Sequence, residues 1–224
     1  MSNLSPKLTR GNEKIKEALV WSIPSGKTCP GATKLCSVIC YARHSEIQYH
    51  NVVPPSRWHN LRLTKRADFA EIMIKALKRR RYRALRIHES GDFYSQVYLN
   101  KWVGIIKALP EWIFWAYTKS HSLDFSEALK LPNLNLRYSV DATTKKYPKQ
   151  DMPLAHLSMH QPDGAFECPG TGAAGGIKCA RDCKVCMETS KSIWFHPHGT
   201  HRKKIERFES ITPEHESSRI LAGA

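Results

Sequence analysis

The chain has 224 residues, 41% of them apolar and 25% charged, which excludes a disordered chain and allows one domain, or one with a small appendage. No apolar run reaches the ~18 residues that a membrane span needs, and MSNLSPKLTRGNEKIKEAL at the N-terminus lacks the apolar core of a secretory leader, so a cytoplasmic protein with no membrane partner is expected. Lys and Arg number 35 against 20 Asp and Glu, a net charge of +15; this points to nucleic acid or another phosphate-bearing partner, with a merely solvated basic surface as the alternative.

Residues 1–16 read as a polar lead-in. The apolar run from Ala18 to Ile23 predicts a short buried strand, and the Pro and Gly residues from Pro24 to Gly31 predict a loop after it. A helix is expected from Cys36 to Arg43. Pro54 and Pro55 should break the chain before a further helix from about Ser56. Phe69, Met73 and Leu77 fall on one face at helical spacing and predict a helix over 67–81. A strand from Ala84 to His88 ends at Glu89-Ser90-Gly91-Asp92. Tyr98, Trp102, Ile105, Ile106 and Leu109 share a face of a helix over 95–109, which Pro110 stops. The aromatic run from Trp112 to Tyr117 reads as a strand, 122–130 as a short helix, and Asn135 to Ser139 as a strand. Leu154 to Ser158 and Ser192 to His196 are two further strand candidates.

Such alternation of strand and helix predicts an α/β fold with parallel strands and right-handed crossovers. The expected architecture is a partial parallel β/α barrel over 17–160, a Cys-rich segment over 161–207 packed on it with a final strand, and a flexible tail over 208–224. Ligands in such folds gather at the carboxyl ends of the strands. The first cysteines, residues 89–92, Thr118-Lys119-Ser120 and Val140-Asp141 each follow a strand and should share that rim.

All seven cysteines fall into two groups: Cys29, Cys36 and Cys40, then Cys168, Cys179, Cys183 and Cys186. Core thiols would be scattered, whereas groups in Gly/Pro-rich loops point to thiolate ligands of a metal. A disulfide framework is not expected without a secretory context. The first group reads C-x6-C-x3-C. Three thiolates can hold a [4Fe-4S] cluster and leave one iron open. A zinc site completed by His44 and plain thiols are the alternatives. The second group reads C-x10-C-x3-C-x2-C, with Pro169 after Cys168. Four thiolates close a coordination sphere, structural or electron-transferring; [4Fe-4S] is favoured over zinc, and Gly170, Gly172, Gly175 and Gly176 would let the backbone wrap an inorganic core.

Ser90, Gly91 and Asp92 are candidate contacts to a cofactor amine or hydroxyl, and Lys119 to an anionic group, with Tyr117 and Asp141 on the same rim. The structural alternative is a plain turn with Asp92 or Ser95 as helix cap. His196-Pro-His198-Gly-Thr-His201 reads as a turn or as a metal tract. Lys78, Arg79, Arg80, Arg81 and Arg83 are candidate nucleic-acid contacts, with a solvated helix end as the alternative. Arg202, Lys203, Lys204 and Arg207 form a second basic cluster.

Cys29-Pro-Gly-Ala with Cys36-x3-Cys40-Tyr41-Ala42, then Arg86-Ile-His-Glu-Ser-Gly-Asp92-Phe, Trp115-Ala-Tyr-Thr-Lys119 and the late cysteine block together resemble the phage gene product 88 family, from about Val20 to His198. The resemblance implies a phage or prophage protein working in the host cytosol; the family brings little mechanism with it. A looser likeness is to radical S-adenosylmethionine enzymes, which also place three cluster cysteines in the loop after the first strand of a partial β/α barrel. That likeness implies S-adenosylmethionine as a second cofactor and a radical-type reaction, here on a nucleotide or nucleic-acid substrate. The spacing after the first strand departs from the C-x3-C-x2-C of those enzymes, and the similar run here comes late in the chain. A non-enzymatic nucleic-acid-binding protein stapled by zinc or iron–sulfur sites is the other functional class.

Overall fold

A computed structural model of the chain describes residues 4–10, 14–171 and 176–211. Seven strands form in chain order: β1 (Leu19–Trp21), β2 (Ala84–Ile87), β3 (Ile113–Thr118), β4 (Leu134–Asp141), β5 (Leu154–Leu157), β6 (Phe166–Glu167) and β7 (Ile193–Phe195). They make one sheet in the order β1-β2-β3-β4-β5-β7-β6, and every named pair is parallel. The helices are α1 (Lys34–Val38), α2 (Tyr41–Gln48), α3 (Val53–Thr64), α4 (Phe69–Lys78), α5 (Gln96–Lys107), α6 (Ser126–Leu129), α7 (Val185–Glu188) and α8 (Arg202–Ile211). None of the described helices is long and apolar enough to cross a membrane.

Period-two alternation sorts the strand residues onto two buried faces, which is why the strands read as nearly continuous apolar runs. Leu19, Trp21, Leu85, Ile87, Phe114 and Leu136 pack with Phe69, Met73 and Leu77 of α4 and Tyr98, Trp102 and Ile106 of α5. Val20, Ala84 and Trp115 face the other way, onto Ile15, Ala180 and Met187, with Tyr117, Cys179 and Cys186 beside them. The Cys-rich segment therefore covers the second face.

The ladder is that of a seven-strand parallel sheet within a mixed α/β fold. Its order is linear, and among the described residues no hydrogen bond joins β1 to β6. The edge of β1 is occupied instead by the lead-in. Thr9 and Val20 exchange N–H···O bonds of 3.1 and 2.9 Å, and Asn60 holds Lys7 by both its N–H and its carbonyl, at 2.9 Å each. The first pair is made by backbone atoms and the second by a side chain 53 residues away in sequence, so no local pattern signals either.

Other boundaries also move. The helix expected over Cys36 to Arg43 is two helices, because Thr33 caps α1 and Cys40 itself caps α2, its Sγ accepting from the Arg43 N–H. Pro54 and Pro55 sit in the first turn of α3, where a missing N–H leaves nothing unpaired. The helix over 122–130 shrinks to α6, and β6, α7 and α8 were not expected. Residues 208–211 of the expected tail are the last turn of α8, while 212–224, Gly172 and Gly175 lie outside the described residues.

One buried charge fixes the Cys-rich segment to the sheet. Arg137 on β4 is fully buried, and its guanidinium donates to the carbonyls of Lys191 (2.8 Å), Cys186 (2.9 Å), Val185 and Thr189. Asn135, two residues earlier on the same face, donates to the Met187 carbonyl. Arg137→Met leaves several buried carbonyls without a donor, so a loss of about 3 kcal/mol or more is expected. Urea unfolding measures it, and hydrogen exchange should rise first over 176–191. Unchanged stability would show that the segment docks by apolar contact alone.

Candidate functional site at the carboxyl rim

Parallel strands send the loops after β1, β2, β3 and β4 out of one edge of the sheet, and hydrogen bonds tie those loops together. Asp92, after β2, accepts from Thr118 Oγ1 (2.7 Å), the Lys119 N–H (2.8 Å) and the Phe93 N–H (2.7 Å). Lys119, after β3, donates through Nζ to Asp141 Oδ2 (2.7 Å) and to the Ser139 carbonyl (3.0 Å). Asp141, at the end of β4, also accepts from Thr33 Oγ1 (2.5 Å), and Thr33 caps the helix that carries Cys36. Gly31 lies so close that a Cβ there would sit 1.7 Å from the Lys119 carbonyl oxygen. Thr118 was expected on this rim, whereas Thr33 was missed, although it carries the helix-cap signature three residues before Cys36.

Cys29, Cys36 and Cys40 are half-buried free thiols within electrostatic reach of one another. Burial pushes Cys29 up to about 12, with Asp92 and the other two thiols adding to it. Burial pushes Cys36 up to about 11, although Lys119 opposes this. Such thiols are protonated at neutral pH and are poor nucleophiles as they stand. Burial also raises Asp92 to about 6 despite its donors. At Asp141 burial acts upward too, but Lys119, Thr33 and Thr143 outweigh it and hold the carboxyl below its usual value.

The second group is assembled from distant points of the sheet. The Cys168 N–H donates to the Trp194 carbonyl on β7 (2.8 Å). Cys179 is pinned at the other end, its N–H to Lys14 O (2.7 Å) and its carbonyl to the Lys16 N–H (3.0 Å). Cys186 is held by Arg137 and lies against Tyr117. Burial raises the Cys179 thiol to about 11, with Cys168, Cys186 and Cys183 contributing and Arg86 opposing. All four cysteines are free thiols. Among the described residues no three His, Cys, Asp or Glu side chains already stand at distances that would hold a metal ion. In both groups the thiols are neighbours without converging on one point.

Other candidates separate cleanly. Ser90 is buried and its Oγ has no hydrogen-bond partner, while Gly91, at φ +81°, packs where a Cβ would lie 2.3 Å from Ile23. Asp92 uses both oxygens to hold the rim. Tyr117 sits on the second face with the late cysteines. Lys78, Arg79, Arg81 and Arg83 are exposed and Arg80 partly so, and Arg83 stacks over Trp112 (5.4 Å) just before β3. That places the stretch at the amino end of the sheet, opposite the thiol rim. The second basic cluster is at the rim itself. Glu209 of α8 accepts from the Met159 N–H after β5 (2.9 Å), and Lys34 of α1 lies over Phe208 (5.9 Å). His44, four residues after Cys40, lies within electrostatic reach of His201.

Beneath the rim, His88 is buried at φ +65° with Nε2 2.9 Å from the Tyr98 hydroxyl. Burial, aided by Arg86, pushes its pKa down to about 3. The unfolded chain binds this proton near 6.5 and the folded one does not, so the stabilisation is complete above about 6.5 and is lost as pH falls toward 3. His88→Asn tolerates the left-handed backbone and cannot titrate. Its stability should be lower at pH 7 but should fall less steeply between pH 6.5 and 4 in urea titrations. Parallel pH profiles would show that His88 takes up its proton in the fold as readily as in the unfolded chain.

The chain belongs to the family described as gene product 88, whose model matches residues 5–157. It is 28% identical over 216 residues to the gene 88 protein of Mycobacterium phage D29, covering 83% of this chain and 89% of that one. The gene 88 protein of Mycobacterium phage L5 is 27% identical over 215 residues, with the same coverage. No solved structure matches.

Proposed function

We propose that this protein binds metal through its thiols, with an open three-cysteine [4Fe-4S] site on Cys29, Cys36 and Cys40 at the carboxyl rim and a closed four-cysteine site on Cys168, Cys179, Cys183 and Cys186. The observation that carries this reading is the partition of the cysteines. All seven are free, and Cys36 has Lys119, Asp141 and Asp92 of the rim about it, whereas Cys186 has Tyr117 and Arg137 of the second face. The donor chemistry fits soft-metal binding, although the side chains must close in to reach a common ion. When bound, such a cluster supplies one iron with a free coordination position. The chain's own part is to hold the site: Asp92, Lys119 and Asp141 lock the loops, and Thr33 orients the helix bearing Cys36.

A ligand for that position meets basic charge on α8, where Arg202, Lys203, Lys204 and Arg207 are exposed. This supports a phosphate-bearing small substrate, and S-adenosylmethionine is the cofactor to try first. The alternative class, a nucleic-acid binder with zinc or iron–sulfur staples, has its own support. A cleft of about 500 Å³ runs between residues 4–6 and α4, with Lys75, Arg79 and Arg80 on its wall.

Anaerobically purified protein should be brown and carry iron and acid-labile sulfide; a colourless protein with stoichiometric zinc would overturn the cluster reading. Cys183→Ala should lose soluble protein, because metal-binding energy at a closed site is folding energy. Cys36→Ala should stay folded and lose ligand-induced change in the cluster's magnetic resonance spectrum. Equal loss of folded protein in both variants would remove the division of labour.

For the binder class the readout is salt dependence. Neutralising Arg79, Arg80 and Arg81 together should reduce the salt slope of DNA binding by up to about three phosphate contacts. An unchanged slope would take the nucleic-acid surface away from the amino end.

A further inference from the structure

Three arginines lie in or near the interior, and two of them are saturated. Arg57 pairs with Glu46 (2.9 Å) and donates to the Ala42 carbonyl and to Ser45. Arg137 donates to four carbonyls. Arg86 is the exception. It lies on β2 opposite Val20 and Trp115, on the face that the Cys-rich segment covers. Its Nε is buried with no hydrogen-bond partner, while the residue as a whole is only half-buried. Its guanidinium carbon stands 5.4 Å from the centre of the Tyr117 ring. Tyr41, Tyr117, Glu89 and Cys179 all act electrostatically on it. The Tyr41 hydroxyl is already engaged, donating to the Glu89 carbonyl at 2.6 Å.

A guanidinium cannot shed its proton, and its five N–H groups form a fixed fork suited to a planar oxyanion. Taking one of those N–H groups out of water without a partner is unfavourable, so a half-buried guanidinium with an orphaned Nε is a site prepared for a ligand. Its position gives the ligand's place. Tyr41 follows Cys40 of the first thiol group, and Cys179 belongs to the second. Stacking on Tyr117 keeps the fork flat and leaves its edge for hydrogen bonding.

We infer that Arg86 anchors an anion subsite between the two thiol groups, gripping a carboxylate or phosphate of a small ligand through its guanidinium edge. The subsite needs no metal in either group, so it stands or falls separately from the cluster reading.

The test uses the full chain as purified, with its metal content measured in parallel. Pyrophosphate and citrate are titrated separately by calorimetry, into the native protein, into Arg86→Met, and into a control with Arg79, Arg80 and Arg81 changed to Gln. At least one probe should bind the native protein and the control alike, and Arg86→Met should weaken it by about tenfold or more, the worth of a charge-assisted hydrogen bond. The probe that binds tells a phosphate source from a carboxylate source. Arg86→Met without ligand should be at least as stable as the native protein, because no protein partner is lost. Binding unchanged in Arg86→Met, or no binding of either probe to the native protein, overturns the proposal. A misfolded or markedly less stable Arg86→Met would make the arginine structural. Loss of metal from that variant would make it the counter-charge of the late thiols. Both results overturn the subsite.

Discussion

Lys119 holds the functional edge of the sheet together through three different atoms. Its amide N–H reaches Asp92, its Nζ reaches Asp141, and its carbonyl sits against Gly31. Loops after four strands therefore meet at one residue, and the helix carrying Cys36 is registered to them through Thr33. The Lys119–Asp141 pair is no surface ion pair, since the side chains are 13% and 2% exposed. A pair buried to that degree adds little net stability over an apolar substitute, but removing either partner strands a charge. What it secures is geometry: neither Cys36 nor the Cys29-Pro-Gly31 turn can drift without breaking it.

The second face of the sheet is organised on a different logic. There the chain has no long helix to lay down, and the cover is a loop-rich segment pinned at widely separated points. Backbone pairing to Lys14 and Lys16 holds Cys179, backbone pairing to Trp194 holds Cys168, and Arg137 holds Cys186. Each pin satisfies buried backbone groups that irregular structure would otherwise leave unpaired. The segment thus depends on its docking to the sheet at several separate points.

Strand positions were legible because apolar runs, Gly/Pro punctuation and helical periodicity agree with one another from Ala18 to Ser158. The shared rim followed from parallel topology alone, and Asp92, Lys119 and Asp141 do meet there. Three things could not be read. The far end of the sheet depends on β6 pairing with β7 out of chain order, which no local pattern encodes. The lead-in's grip on β1 runs through the backbone of Thr9 and the side chain of Asn60, far apart in sequence. Arg137 sits in a strand that reads as ordinary, Leu-Asn-Leu-Arg-Tyr-Ser; only its burial shows that it is a clamp. Ser90 and Gly91 were singled out as cofactor contacts, and the packing of Gly91 on Ile23 and Thr28 gives that turn a structural duty as well.

Topology also separates the two basic surfaces. Lys78 to Arg83 precede β2, so they stand at the end of the sheet where strands begin, and the Arg83 carbonyl pairs with the first residue of β3 (2.8 Å). The thiol rim is where strands end. At roughly 3.3 Å per residue, the four residues of β2 put about 13 Å between the two edges before any side chain is added. A polyanion docked on Lys78 to Arg83 would therefore not face Cys29, Cys36 and Cys40 directly. Helix α8 does stand at the rim, fixed on one side to the turn after β5 and on the other to α1. With a Debye length of about 8 Å at physiological salt, charges on α8 act on the rim while those at the amino end are largely screened from it. Of the two basic clusters, the one on α8 thus stands beside the first thiol group, and the one before β2 stands at the opposite edge of the sheet.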